Sequence, residues 1–331
     1  MLFRPGAALA ALALVASAQA PQQTRTFSFV NTSSPRQMQE VVNVIRSIAE
    51  VRDATADPTQ RLLTVGGNEA QLGLAAWLFA DLDQPPTHPS ELVVRASSFA
   101  DPRASEVRIY HPAHLSGAPQ LQELVNALRS ITEIQRVVVI SETSAIVVRG
   151  TAEQGAFADW LVGEIDGAAA GGARGVRDYS YDSGNLTPAV LRKTSVRIYY
   201  PAQIRSAPDL QEALNGLRTI GDLQRAVIFT APAAIVLRGS AEQAAAGDWL
   251  VREMDQAAPA SGSREYLWSG IADGIVQSRV LSKDADLAAA VARVRDEIGI
   301  RRVAAYRPNH AILMRGNAQQ IAAADELLRP L

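Results

Sequence analysis

The stretch VRIYHPA at residues 107–113 returns as VRIYYPA at 196–202, and the likeness does not stop there. LQELVNALRSI (121–131) pairs with LQEALNGLRTI (210–220), AIVVRGTAEQ (145–154) with AIVLRGSAEQ (234–243), and DWLVGEID (159–166) with DWLVREMD (248–255). Residues 107–166 and 196–255 align without a gap at a shift of 89, with 33 of 60 positions identical. Chance does not give this; one unit was duplicated. A shift back by 83 finds a more divergent copy at 27–83, and a shift forward by 166 finds another at 275–331. The two outer copies differ most, as terminal repeats do when each has a neighbour on one side only.

Every unit has the same grammar. A short β-rich piece such as Val107–His111 comes first, closed by a Pro. A helix follows, with Leu121, Leu124, Val125, Leu128 and Ile131 recurring on one face. Met38, Val41, Val42, Ile45 and Ile48 repeat the pattern, as do Leu210, Ala213, Leu214, Leu217 and Ile220. Two β runs come next, Val137–Ser141 and Ala145–Arg149, joined by a tight polar turn that Asp57-Pro58 marks in the first unit.

A second helix opens four times with G-[NST]-x-x-Q: at Gly67-Asn68 to Gln71, Gly150-Thr151 to Gln154, Gly239-Ser240 to Gln243 and Gly316-Asn317 to Gln320. The Asn, Thr or Ser accepts a hydrogen bond from a free N–H of the first turn, and the Gln reaches back to the cap's own N–H. Trp77, Trp160 and Trp249 lie six residues past that Gln; the fourth unit has Glu326 there, so its core or contact must differ.

This order predicts an α+β fold: a tandem array of four small βαββα modules, KH-like in outline. Each is expected as a three-stranded sheet with two helices on one face. The boundaries are expected at 24–84, 105–167, 194–256 and 274–331, with linkers at 85–104, 168–193 and 257–273. The linkers are rich in Gly, Pro, Ala and Ser but hold β-like pieces at Glu91–Arg95, Arg177–Tyr181 and Arg264–Trp268. Two readings stand for these pieces: loose connection, or an added strand on an adjacent sheet edge.

The pattern resembles the secretin N-terminal domain family, whose modules run strand, helix, hairpin, helix. The residues that carry the likeness are LLTVGGNEAQ after its polar turn, and the series VRIYYPA, LQEALNGLRTI, AIVLRGSAEQ and WLVREMD. It covers all four units. In secretins such modules stack into periplasmic rings and contact the secretion machine, so the resemblance implies a cell-envelope location and protein partners. Secretins continue into an outer-membrane β-barrel, whereas this sequence stops at Leu331 after the fourth unit, which implies an accessory or stand-alone array.

Bulk properties narrow the field further. Of 331 residues, 47% are hydrophobic and 20% charged, enough to build packed cores. The net charge of −2 comes from interleaved signs, which disfavours a nucleic-acid or anionic-membrane surface. The absence of cysteine removes disulfides, thiolate metal sites and a cysteine nucleophile. Arg4, the run Ala7 to Ala16 and the small residues to Ala20 read as a signal peptide, residues 1–18, cleaved after Ala18. An uncleaved anchor is the competing reading, but the run is shorter than the ~20 residues of a bilayer crossing. No integral membrane segment is expected after cleavage.

No catalytic, cofactor-binding or metal-ligating residue is singled out. His111 and His114 are spaced for a shared metal, but Tyr200 and Gln203 replace them in the duplicate, so a solvated loop is the preferred reading. The Gly-cap-helix corner is shaped like a phosphate-binding turn, yet no P-loop Lys and no GxGxxG accompany it. Arg136, Arg225 and Arg302 recur at the start of the second β run, and Arg149, Arg238 and Arg315 just before the Gly. Such a row either binds an acidic partner or wall polymer, or guards exposed sheet edges; edge guarding is the preferred reading. A KH-type nucleic-acid binder needs a GXXG loop and a basic groove, and neither is present. The expectation is therefore an exported, non-enzymatic interaction or assembly module of the periplasm or secreted space. It takes protein partners or associates with itself. The alternatives are an envelope ligand or wall-polymer binder, or an enzyme using one diverged repeat.

Overall fold

The computed structural model describes residues 23–85, 89–98, 106–171, 174–182 and 193–331; the expected signal peptide lies outside them. The chain forms two compact units, Met1–Gln84 and Pro85–Leu331.

The first unit is one module: β1 (Gln23–Ser28), α1 (Pro35–Ile48), β2 (Asp53–Asp57), β3 (Leu62–Gly67) and α2 (Glu69–Leu82). Its antiparallel sheet has the order β1-β3-β2. Ser34 starts α1 by accepting from the Gln37 N–H at 3.0 Å, with Pro35 in the first turn, where its missing N–H costs nothing. Met38, Val41, Val42, Ile45 and Ile48 then fall on the buried face of α1, as their spacing requires.

The second unit holds three modules in series. The first of these runs β4 (Val93–Ser98), β5 (Glu106–His111), α3 (Ala118–Ser130), β6 (Arg136–Ile140), β7 (Ala145–Gly150) and α4 (Ala152–Ala169). The next runs β8 (Gly175–Asp182), β9 (Lys193–Tyr200), α5 (Ala207–Ile220), β10 (Arg225–Thr230), β11 (Ala233–Gly239) and α6 (Ala241–Met254). The fourth module has β12 (Gly262–Leu267), β13 (Ile275–Val280), α7 (Leu287–Glu297), β14 (Arg302–Tyr306), β15 (Ala311–Gly316) and α8 (Ala318–Leu328).

The class is the expected one, but the strand count is corrected in three modules. Their sheets are four-stranded, in the orders β4-β5-β7-β6, β8-β9-β11-β10 and β12-β13-β15-β14. The three linker pieces are strands, each antiparallel to the first strand of the module that follows. A three-stranded sheet would leave β5, β9 and β13 as edges with a bare row of N–H and C=O groups, and the incoming segment satisfies that row. The added strands are in one register. Arg95 lies opposite Ile109, Arg177 opposite Ile198 and Arg264 opposite Ser278, three equivalent places.

The second unit is also more than three separate cores. Helix α3 lies on the far face of the next sheet, so one core joins Leu121, Leu124 and Leu128 to Val196, Ile198, Phe229 and Val236. Helix α5 lies on the fourth sheet in the same way, and Leu214 and Leu217 share a core with Val276, Tyr306 and Leu313. A 60-residue module buries only about 60% of its unfolded surface, and stacking gives its sheet a second apolar partner. Among the described residues no helix is long and apolar enough to cross a membrane.

Candidate functional site

Within the second unit, charged groups that recur from module to module converge on the two junctions where one module's helix meets the next module's sheet. After the first helix comes a residue in the left-handed region: Glu50 at φ 54°, Glu133 at 63°, Asp222 at 51° and, in the fourth module, Gly299 at 78°. Only Gly takes this conformation without cost. The acids at 133 and 222 hold it because each accepts from the following module.

At the first junction in the second unit, Arg238 is wholly buried. Its guanidinium donates to the Ile131 carbonyl at 2.7 Å and lies 3.2 Å from Glu133. Its Nε donates to the Thr194 hydroxyl at 2.8 Å, and Arg225 pairs with the other oxygen of Glu133. At the next junction Arg315 plays the same part. It donates to the Ile220 carbonyl at 2.7 Å and to Asp222 at 2.6 Å, and stacks 4.9 Å over Trp268. Arg302 bridges Asp222 and Asp273 at 3.0 and 2.8 Å.

A second clamp holds the hairpin turn. The Thr230 N–H and hydroxyl donate to Glu123 on α3 at 3.0 and 2.7 Å. The Arg307 N–H donates to Glu212 on α5 at 2.9 Å, and its guanidinium pairs with the same carboxylate. The preferred edge-guard reading is therefore corrected for Arg225, Arg238, Arg302 and Arg315: they are latches between modules. Arg238 and Arg315 stand on central strands, where no edge exists to guard. Arg136 opens β6, and Arg149 is buried on β7.

The added strands β8 and β12 are fastened to the module behind them. The Tyr179 ring stacks on Phe157 at 4.9 Å with a 4° interplanar angle and lies 5.0 Å from Trp160. Tyr266 meets Trp249 at 6.0 Å. Arg177 pairs with Glu164 and Arg264 with Glu253, both at 3.3 Å. This explains the odd fourth module, where Glu326 is exposed and, among the described residues, no strand lies over it.

Within the modules the polar groups serve structure. All four G-[NST]-x-x-Q corners make reciprocal cap bonds, so the cap side chains occupy donors that an anion would need. The same Gln also ties down the left-handed residue. Gln71, Gln154 and Gln243 donate to the carbonyls of Glu50, Glu133 and Asp222 at 2.7 to 3.1 Å. At the end of the second helix, Asp166 accepts from the N–H groups of Ala113, His114 and Leu115, and Asp255 from Ala202, Gln203 and Ile204. Asp83 holds Val30, Asn31 and Thr32 in the same way.

His114 thus sits over an occupied carboxylate, Nδ1 3.5 Å from Asp166, while His111 ends β5. Among the described residues no group of three or more His, Cys, Asp or Glu is arranged to hold a metal. The Tyr110 hydroxyl donates to Asp159 at 2.9 Å and Tyr199 to Asp248 at 2.7 Å. Burial first, and then the adjacent carboxylate, pushes both phenols well above their ordinary value. They remain donors rather than bases. A half-open cavity of about 300 Å³ lies by Gln120, Tyr200, Pro201 and Pro232, with Arg205 its one charged group.

The sequence reading missed Glu123, Glu133, Glu212, Asp222 and the three helix-end aspartates. Comparison of the chain with itself carries the signal, because acids recur at those places in the inner copies.

No family model matches this chain, and no curated protein matches it. Among solved structures, the N-terminal domain of the secretin XcpQ from Pseudomonas aeruginosa is similar over 44% of this chain and 61% of that chain, at 18% identity and a TM-score of 0.20. The type II secretion system secretin GspD of E. coli K12 is similar over 71% of this chain and 39% of its own, at 13% identity and a TM-score of 0.17. Aeromonas hydrophila ExeD is similar over 92% and 55%, at 15% identity and a TM-score of 0.17. This chain spans less than two thirds of each of these chains.

Proposed function

We propose that this chain is an exported, non-catalytic assembly module of the cell envelope that takes an extended segment of a protein partner on the open edge of β1. One observation carries the reading. The counterparts of β1, namely β5, β9 and β13, each have an antiparallel strand beside them, whereas β1 is paired on one side only among the described residues. Its row of backbone donors and acceptors is the ready template for strand addition. The polar clusters of the modules support a scaffold: their carboxylates and guanidinia are spent on caps, turns and latches. The residues before Gln23 support export through their charged start, apolar run and small-residue end.

The test is a photo-crosslinking residue at Thr26 on β1, compared with one at Ala288 on the exposed side of α7, in cells that export the protein. A discrete cross-linked product from position 26 alone is expected. The reading is overturned by a mature protein that stays monomeric at its highest attainable concentration and gives no product from position 26 in the envelope.

A further inference from the structure

We infer that the front of the first module and the back of the fourth are each built to refuse in-line docking, so that a second copy of this chain does not extend the series at either end. The two junctions in the second unit use the same places each time, which shows what a docking face requires. The front needs Arg at 238 or 315, Arg at 225 or 302, a turn N–H at 230 or 307, and an apolar sheet face. The back needs an acid at 123 or 212, a small residue at 127 or 216, and an acid at 133 or 222.

The first module reverses the front point by point. Gly66 stands where the buried Arg stands, and Asp53 where the second Arg stands, so the charge that would meet a preceding acid has changed sign. Pro58 occupies the turn place, and a proline has no N–H to donate. Thr24, Thr26, Ser28, Thr55 and Asp57 are exposed where Val196, Ile198, Tyr200, Val227 and Phe229 are buried under α3.

The fourth module reverses the back. Ala289 replaces the turn-clamping Glu, and Gly299 replaces the left-handed acid. Arg293 replaces Ala127 and Gly216 at the point where the next sheet lands. Even a methyl group at Gly216 would come within 3.2 Å of Leu313, so an arginine there is a steric block as well as a charge. Arg293 is exposed and paired with Glu297 at 2.8 Å. Neutral drift would lose contacts. It would not place a proline at the donor, an aspartate at the arginine and an arginine at the glycine. Polar outer faces of this kind cap repeat arrays against self-association. The inference stands apart from the partner proposed above, since failure to find an envelope partner leaves it untouched.

The chain has no cysteine, so introduced ones report alone. The full mature chain carrying Pro58→Cys and Ala289→Cys, the two places that meet at each junction of the second unit, is oxidised at high concentration; no ladder of disulfide multimers is expected, and a ladder overturns the inference. A second arm restores the code. One chain carries Asp53→Arg, Pro58→Thr, Gly66→Arg, Thr24→Val and Thr26→Ile, and the other Ala289→Glu, Arg293→Gly and Gly299→Asp. Mixed, they are expected to form a one-to-one complex by sedimentation, at least about tenfold tighter than either forms with the unaltered chain. Two chains with unaltered circular dichroism that do not associate overturn the inference. The disulfide arm decides alone should either converted chain fail to fold.

Discussion

Replacing Glu133 by glycine separates a loop residue from a latch, because the two roles predict opposite signs. Glu133 sits at φ 63°, and a non-glycine residue there costs roughly 1–2 kcal/mol that glycine recovers, less the extra freedom glycine gives the unfolded chain. Taken as loop chemistry alone, Glu133→Gly stabilises by about 1 kcal/mol. As a latch, Glu133 is the carboxylate of the wholly buried Arg238. Removing one partner of a buried pair costs roughly 3–5 kcal/mol. The Glu133 side chain is 28% exposed, so water relieves part of the penalty and the lower end applies. The remainder is a destabilisation of about 2 kcal/mol, up to about 30-fold in the folding equilibrium. Because a chain of several modules need not unfold in one step, the assay is urea titration together with hydrogen exchange of the β10 and β11 amides. In an Arg238→Met background the loss should vanish or change sign, since no buried cation is then abandoned. A Glu133→Gly chain as stable as its parent would refute the latch.

Asp166→Ala should lower the stability of its module by about 2–3 kcal/mol in a thermal melt, because three N–H groups lose their acceptor and Asp166 is buried; Asp255→Ala should cost less, its hydrogen bonds being nearer to solvent. Tyr179→Ser should release β8 from α4, with a loss of about 1 kcal/mol beyond burial and faster exchange of β8 amides while β11 is unchanged. Burial raises the Tyr110, Tyr199, Tyr200 and Tyr306 phenols above their ordinary value of 10.0. Above pH 10 the unfolded chain therefore releases protons that the folded chain keeps. Stability should be whole below that pH and fall above it, by about 1.4 kcal/mol per pH unit for each such tyrosine within the folding unit observed. Tyr110→Phe should flatten the slope, as read by chemical denaturation at pH 9 to 11.

The elements and their order were legible because their signals are local. The helix stripe Leu121, Leu124, Val125, Leu128 and Ile131, the alternation in Val107–His111 and the cap at Thr151–Gln154 depend on residues within a few positions of one another. The fourth strands were half legible. Gly175–Asp182 has a strand's composition, but what decides it is the unpaired edge of β9, a property of another segment. The latch was not legible from Arg238 alone, because an arginine on a strand means edge protection, partner binding or burial according to what lies across from it. Its acceptor, Glu133, is 105 residues away.

A repeated chain nevertheless contains the missing comparison. Positions that build the module itself recur in all four copies, as the cap Gln does at 71, 154, 243 and 320. Positions that carry a junction serve one side of a module, so a copy can lose one half of the contact and keep the other. Arginine precedes the capped glycine at 238 and 315, where it meets the acid of the module before it, and Gly66 stands in its place in the first copy. The left-handed acid stands at 133 and 222, where it meets that arginine, and Gly299 stands in its place in the fourth copy. Two rows that fail at opposite ends are the pattern expected of the two halves of one contact, and a shared core residue has no reason to produce it.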